Sequence, residues 1–259
     1  MERVRIKNPP RFMPWIYGLV IVIAIAVSLV AAVVFGSADI TWSTTTQVIS
    51  HHLFGTELDK SVPASSDTII WNLRAPRGIL AAIVGAGLAV SGVAMQTLVR
   101  NPLADPYLLG ISAGAGAGAT AVIIFGAFSG SPIAPLTFGA LLGAVMATLA
   151  VGAFATAGGG LTPLRLVLSG VVLSAAFSAL SSFMVFAGPD PRAAQSVMFW
   201  MLGSVAGATW LKTLFPLIVL IAVLLFFLVK ARHLDALATG ESTAAAVGID
   251  VSRLRTQVF

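Results

Sequence analysis

The amino-acid sequence predicts an all-α polytopic membrane protein. Three observations predict it: 58% of the 259 residues are hydrophobic, only 10% are charged, and six apolar stretches have the length of a bilayer span with no ionisable side chain in their middles. A soluble domain carries about 25% charged residues, because water must be offered a polar surface. With a mean hydropathy of +0.97, this chain has too few polar groups to cover a water-soluble globule. Lipid is the solvent that fits.

The first stretch, 15–35, follows Arg3, Arg5, Lys7 and Arg11 and superficially resembles a signal peptide. Signal h-regions are about 7–15 residues long, whereas about 20 apolar residues match a hydrocarbon core roughly 30 Å thick. Ala31-Ala32 offers only a weak cleavage site, so a retained first span is expected. The other five spans are 78–99, 107–128, 135–157, 165–187 and 211–229. Each is expected to be helical, since a single segment in lipid pairs its own backbone groups only as a helix.

Between the first two spans, 36–73 reads as a polar loop. Its adjacent His51 and His52 are two potential metal ligands, but no third ligand or fixed spacing accompanies them, and a solvated loop is the simpler reading. Residues 189–210 open with Pro189-Asp190-Pro191 and continue as an amphipathic helix carrying Met198, Phe199, Trp200 and Met201. That composition suits a helix lying flat at the outer interface, anchored by Trp200 and Trp210.

The basic residues orient the chain. With the N-terminus inside, Arg3, Arg5, Lys7, Arg11, Arg100, Arg165, Lys230, Arg232, Arg253 and Arg255 are cytoplasmic; Lys60, Arg74, Arg77, Arg192 and Lys212 are external. Ten against five is a positive-inside bias, with both termini cytoplasmic. The net charge of +5 therefore reports topology rather than a nucleic-acid partner, because the cations sit singly at the ends of apolar runs.

Gly110, Gly114 and Gly118 recur at four-residue spacing, as do Gly139 and Gly143. Within apolar spans this spacing puts small residues on one helix face and invites close packing rather than a phosphate cradle. No P-loop, H-E-x-x-H or G-x-S-x-G motif occurs, and the chain contains no cysteine. An enzyme is not expected, ATP hydrolysis would belong to another chain, and no cofactor or metal site is expected. The spans also lack the buried ionisable groups on which ion-coupled carriers rely. Their polar groups are hydroxyls and an amide: Ser91, Gln96, Thr97, Ser169, Ser174, Ser178, Ser181 and Ser182. Interhelical hydrogen bonding and a mildly polar pathway wall, with Ser169, Ser174 and Ser178 as lining residues, both fit the serines.

Three segments are more specific: Trp71-Asn72-Leu73-Arg74-Ala75-Pro76-Arg77; Arg100-Asn101-Pro102-Leu103-Ala104-Asp105-Pro106 with Leu108-Leu109-Gly110-Ile111-Ser112-Ala113-Gly114; and Leu237-Ala238-Thr239-Gly240-Glu241 with Val247-Gly248-Ile249. In this order and spacing the chain, from about residue 15 onward, resembles the FecCD-type permeases, the membrane subunits of ABC importers for ferric siderophores, haem and cobalamin. The resemblance implies a homodimer, or a pair with a related permease, in the plasma membrane, with ATP-binding cassette ATPases inside and a substrate-binding protein outside.

It further implies that Arg74 and Arg77 dock glutamates of the binding protein, a role that guanidinium groups suit through paired charge-assisted hydrogen bonds. Snorkelling to lipid headgroups is the alternative. The Asn101–Pro106 segment reads as a structural turn, because Asn-Pro and Asp-Pro steps disfavour helix. Thr162, Pro163 and Leu164, after the glycines 158–160, match the inner gate. Leu237, Ala238, Thr239, Gly240 and Glu241, within a cytoplasmic region 233–255, match the seat of the ATPase. A helix resting on the inner leaflet is the bland alternative there. Ferric siderophore is the leading substrate, followed by haem and cobalamin. Family members have about ten spans, so the chain, stopping at Phe259, is expected to lack the C-terminal ones. An ion-coupled carrier or a non-transporting membrane fragment are the rival readings.

Overall fold

A computed structural model describes residues 13–128, 130, 134–157 and 160–259. Arg3, Arg5, Lys7 and Arg11, and Gly158 and Gly159 of the glycine run before Leu161, lie outside the described residues. The protein is an all-α polytopic membrane protein, with no strand among the described residues. Among the described residues, five helices are long and apolar enough to cross a membrane: α1 (Met13–Val34), α3 (Ala64–Val99), α5 (Pro135–Ala157), α6 (Pro163–Ala187) and α8 (Trp210–Thr239). The shorter helices are α2 (Trp42–Phe54), α4 (Ile111–Phe125), α7 (Pro191–Met201), α9 (Glu241–Ala246) and α10 (Val251–Val258). The described residues up to Gly85 together with Val205–Leu220 form one compact unit; those of Ala86–Ser204 and Ile221–Phe259 form another.

In the first unit the segment 36–73 is not an open loop. Thr41 caps α2 by accepting the Thr44 N–H at 3.3 Å, and Gly55, at φ 68°, closes it in the left-handed conformation that glycine adopts without steric penalty. The Ser/Thr-rich composition conceals this helix because only Thr45 and Val48 are buried along it. His52 Nε2 lies 2.8 Å from Asp67 Oδ1, and the imidazole stacks on Trp71 at 4.3 Å between ring centroids. The histidine pair thus belongs to a local aromatic and hydrogen-bonded contact, and no metal-ligating cluster of three exists among the described residues.

Helix α3 starts earlier than expected and passes through a π-helical stretch, Thr68–Arg74. The reason is Pro76. Proline inside a helix removes an N–H donor and crowds the preceding turn, and widening that turn relieves the conflict. The Ala75 N–H bonds the Ile70 carbonyl, five residues back. In the same register Trp71 would need a donor from Pro76, which has none. The Trp210 indole Nε1–H supplies it instead, at 2.9 Å.

In the second unit α4 and α5 are knit by glycine. A Cβ added at Gly118 would overlap the Gly139 carbonyl oxygen, and one at Gly143 the Gly114 carbonyl oxygen. Close backbone approach of this kind is what small residues permit between membrane helices. Gly110 departs from the pattern: at φ 73° it ends a 3₁₀ turn, Pro106–Leu109, and starts α4. The expected span 107–128 is therefore a turn plus a 15-residue helix closed by Gly126. Helix α8, by contrast, runs past the expected limit of 229 to Thr239, so the polar region 233–255 begins inside it. The core of this unit gathers Met95, Leu98, Leu109, Val151, Leu161 and Leu166, with Val258 and Phe259 packed against it.

Candidate functional site

Around that core, four separate pieces of chain meet. Helix α3 ends at Arg100, which takes a left-handed conformation (φ 54°). Asn101 and Asp105 then shape the turn through their side chains, accepting the N–H groups of Leu103 at 2.9 Å and Tyr107 at 2.7 Å. These Asx-type bonds supply the local structure that the two prolines demand. The sequence reading of this segment as a structural turn matches the geometry.

The second piece is the approach to α6. Thr162 is its N-cap, accepting the Arg165 N–H at 3.4 Å, and Pro163 occupies the first turn, where its missing N–H is harmless. Leu161 is buried, whereas Leu164 is 67% exposed.

The third piece joins α8 to α9. Leu237 is fully buried, while Ala238 and Thr239 are exposed. Gly240, at φ 138° and ψ 153°, occupies a region nearly reserved for glycine and separates the two helices. Glu241 follows as the first residue of α9. Helix α10, the fourth piece, is capped by Asp250, which accepts the Arg253 N–H at 3.0 Å.

Charges tie the pieces together. Glu241 Oε1 accepts Arg255 Nη2 at 2.7 Å and lies 3.3 Å from Arg100 Nη2. Arg255 is 5% exposed, and its Nη1 donates to the Leu161 carbonyl at 3.2 Å. The Arg255 hydrogen bond holds the Glu241 carboxyl below the usual carboxylate range; partial desolvation opposes this, and the charges of Arg255 and Arg100 assist it. Sequence reasoning counted both arginines as orientation charges and missed this cluster. The one available signal was the scarcity of charge, which makes every Arg–Glu pairing informative.

The serines divide. Ser174 donates to the Gly170 carbonyl at 2.7 Å and packs beside Gly110. Ser169 is half-buried. Ser178, with Ser181, Ser182, Met198 and Met201, lines a cavity of about 470 Å³.

In the first unit Arg74 is buried, 8% exposed, with its guanidinium turned onto the end of α1. It donates to the carbonyls of Val33 (3.0 Å), Val34 (2.7 Å) and Ala38 (2.7 Å), where a cation completes the orphaned acceptors of a helix C-terminus. Arg77 is half-buried, with Nε donating to the Ala206 carbonyl at 3.0 Å. This differs from the reading of the two as an outward pair, because three carbonyls draw Arg74 inward. Both border a cavity of about 520 Å³.

The model of the FecCD transport family matches residues 21–259. The chain belongs to this family. Among FecCD relatives, the cobalamin import system permease protein of Halobacterium salinarum is 33% identical over 78% of this chain and 53% of its own length. The Fe(3+) dicitrate transport system permease protein of Escherichia coli is 32% identical over 74% of this chain and 58% of its own length. The chain thus spans little more than half of these two relatives. Among solved structures, an ABC transporter assigned to the metal-chelate type, in an inward-facing conformation, superposes with a TM-score of 0.74 at 28% identity, covering 95% of this chain and 71% of that one.

Proposed function

We propose that this FecCD-family chain is the transmembrane permease subunit of an ABC importer, driven by an ATPase on a separate chain. The observation that carries the reading is the family match across residues 21–259. The exposed junction Ala238–Thr239 beside Gly240 and Glu241 supports it, since small residues let a partner surface approach closely. In this reading Leu237–Glu241 seats the ATPase, Thr162, Pro163 and Leu164 form the inner gate, and the Ser178 cavity belongs to the pathway. Arg77 docks a substrate-binding protein, with Arg74 fixing the backbone that presents it. ATP-driven closure of two ATPases shifts α9 and switches access in a homodimer of the plasma membrane, N-terminus inside.

Ferric siderophore remains the leading cargo. Cobalamin is the second reading, favoured by the halobacterial relative. The test is purification of the tagged protein in mild detergent with mass spectrometry of everything retained, followed by assay of Gly240→Ala. An ATPase is expected to co-purify with the unsubstituted chain, and Gly240→Ala to keep hydrolysis while losing uptake. Absence of any ATPase would overturn the reading, as would uptake that stays coupled in the variant.

A further inference from the structure

Arg255 grips two segments that are distant in sequence. Its Nη2 holds the carboxylate of Glu241, the first residue of α9, at 2.7 Å. Its Nη1 holds the backbone carbonyl of Leu161, the residue immediately before Thr162-Pro163-Leu164, at 3.2 Å. A guanidinium is planar and rigid, so its two arms keep a fixed separation that a flexible ammonium does not. Arg255 is 5% exposed, which shields its bond to the Leu161 carbonyl from water, while the Glu241 carboxylate remains partly exposed. Its helix is a packed unit that moves as one piece: Asp250 caps the start, Leu254 is buried at 3% exposure, and the Phe259 ring packs on Gly152. Arg100, 3.3 Å from Glu241 on the other side, adds the end of α3 to the same carboxylate.

We infer that Arg255 is a positioning residue that passes displacement of α9 to the inner gate. The inference rests on the reading of Leu237–Glu241 as the ATPase seat. A pull on α9 moves Glu241; the charge-assisted bond carries Arg255 with it; the second arm draws the Leu161 carbonyl and with it the start of α6. Leu161 lies in the apolar core with Leu166, so its backbone is the handle by which that packed segment turns.

The chain has no cysteine, so Leu164→Cys gives a single label site on the gate. Its rate of reaction with a membrane-impermeant maleimide is measured in the complex with the co-purified ATPase, with and without ATP and vanadate. The rate is expected to change severalfold with nucleotide when Arg255 is present. Arg255→Met is expected to keep the ATPase and to melt lower, because a stabilising bond is lost, and to lose the nucleotide response. Arg255→Lys serves where the Met variant does not fold: it keeps the buried cation without the fork, and the same loss is expected. If no ATPase co-purifies with the unsubstituted chain, the importer reading itself fails. If the ATPase is present and the gate responds equally with and without Arg255, or if the gate is indifferent to nucleotide throughout, only the transmission role fails. Loss of the ATPase on replacing Arg255 would overturn it too, by making the residue a structural clamp.

Discussion

At Glu241 one carboxylate faces two arginines, and its protonation has a readable consequence. The Arg255 hydrogen bond lowers its pKa in the folded protein. A group with a depressed folded pKa contributes stability that is present above its unfolded value, about 4.3 for glutamate, and is lost as pH falls through the folded value. The melting midpoints of the protein and of Glu241→Gln are therefore expected to differ by a constant amount from neutral pH down to about 5. They should converge in more acidic buffer, and a gap that widens toward acid would refute the assignment. Legibility at this scale was uneven. Gly240 and Glu241 stood out in the sequence because they belong to a segment that resembles the family's motif. Their partners did not: Arg100 and Arg255 come from distant stretches, and nothing in local pattern says that they converge. The surroundings of Arg74 were illegible for a related reason, since composition records a cation near a membrane edge but not the three carbonyls to which it donates.

Among the elements, the α4–α5 pair gives the sharpest expectation. Gly118→Ala would press a methyl group into the Gly139 backbone, and overpacking of this kind costs about 1–3 kcal/mol. Gly85→Ala, where nothing lies within 4 Å of the added carbon, is expected to be neutral or slightly stabilising, because alanine is the better helix former. Thermal melts of both variants in one detergent decide the matter, and equal behaviour would remove the packing argument. The four-residue glycine spacing was legible as packing because period 3.6 translates it directly into a face. The extent of α4 was not, since Gly110 reads equally as a packing glycine and as a helix start until its φ is known. Helix α2 was hidden by its polarity: with two buried residues it lacks the apolar stripe by which helices are usually found.

For the whole molecule, hydropathy alone gave the class, the five long helices and the sixth, shorter apolar one, because the cost of unpaired backbone in lipid leaves no competing architecture. Orientation rests on charge counting and needs its own measurement. Ser61→Cys and Ser242→Cys, both at exposed positions, are expected to report opposite faces of the membrane. The first should react with an impermeant maleimide in intact cells, the second only after the membrane is opened. The reverse pattern would invert the chain.

The π-helical stretch before Pro76 carries one more consequence. A π turn accommodates one residue beyond the α-helical repeat, so the side chains before Thr68 are rotated by roughly 100° about the axis relative to an unbroken helix ending at Val99. In effect, α3 is an ordinary helix with a single residue inserted. That insertion sets the azimuth at which Asp67 meets His52, and with it the seating of α2. Deleting one residue within Thr68–Arg74 would swing Asp67 out of phase with His52 while Pro76 still interrupts the hydrogen-bond ladder, leaving a helix that no longer meets its neighbour.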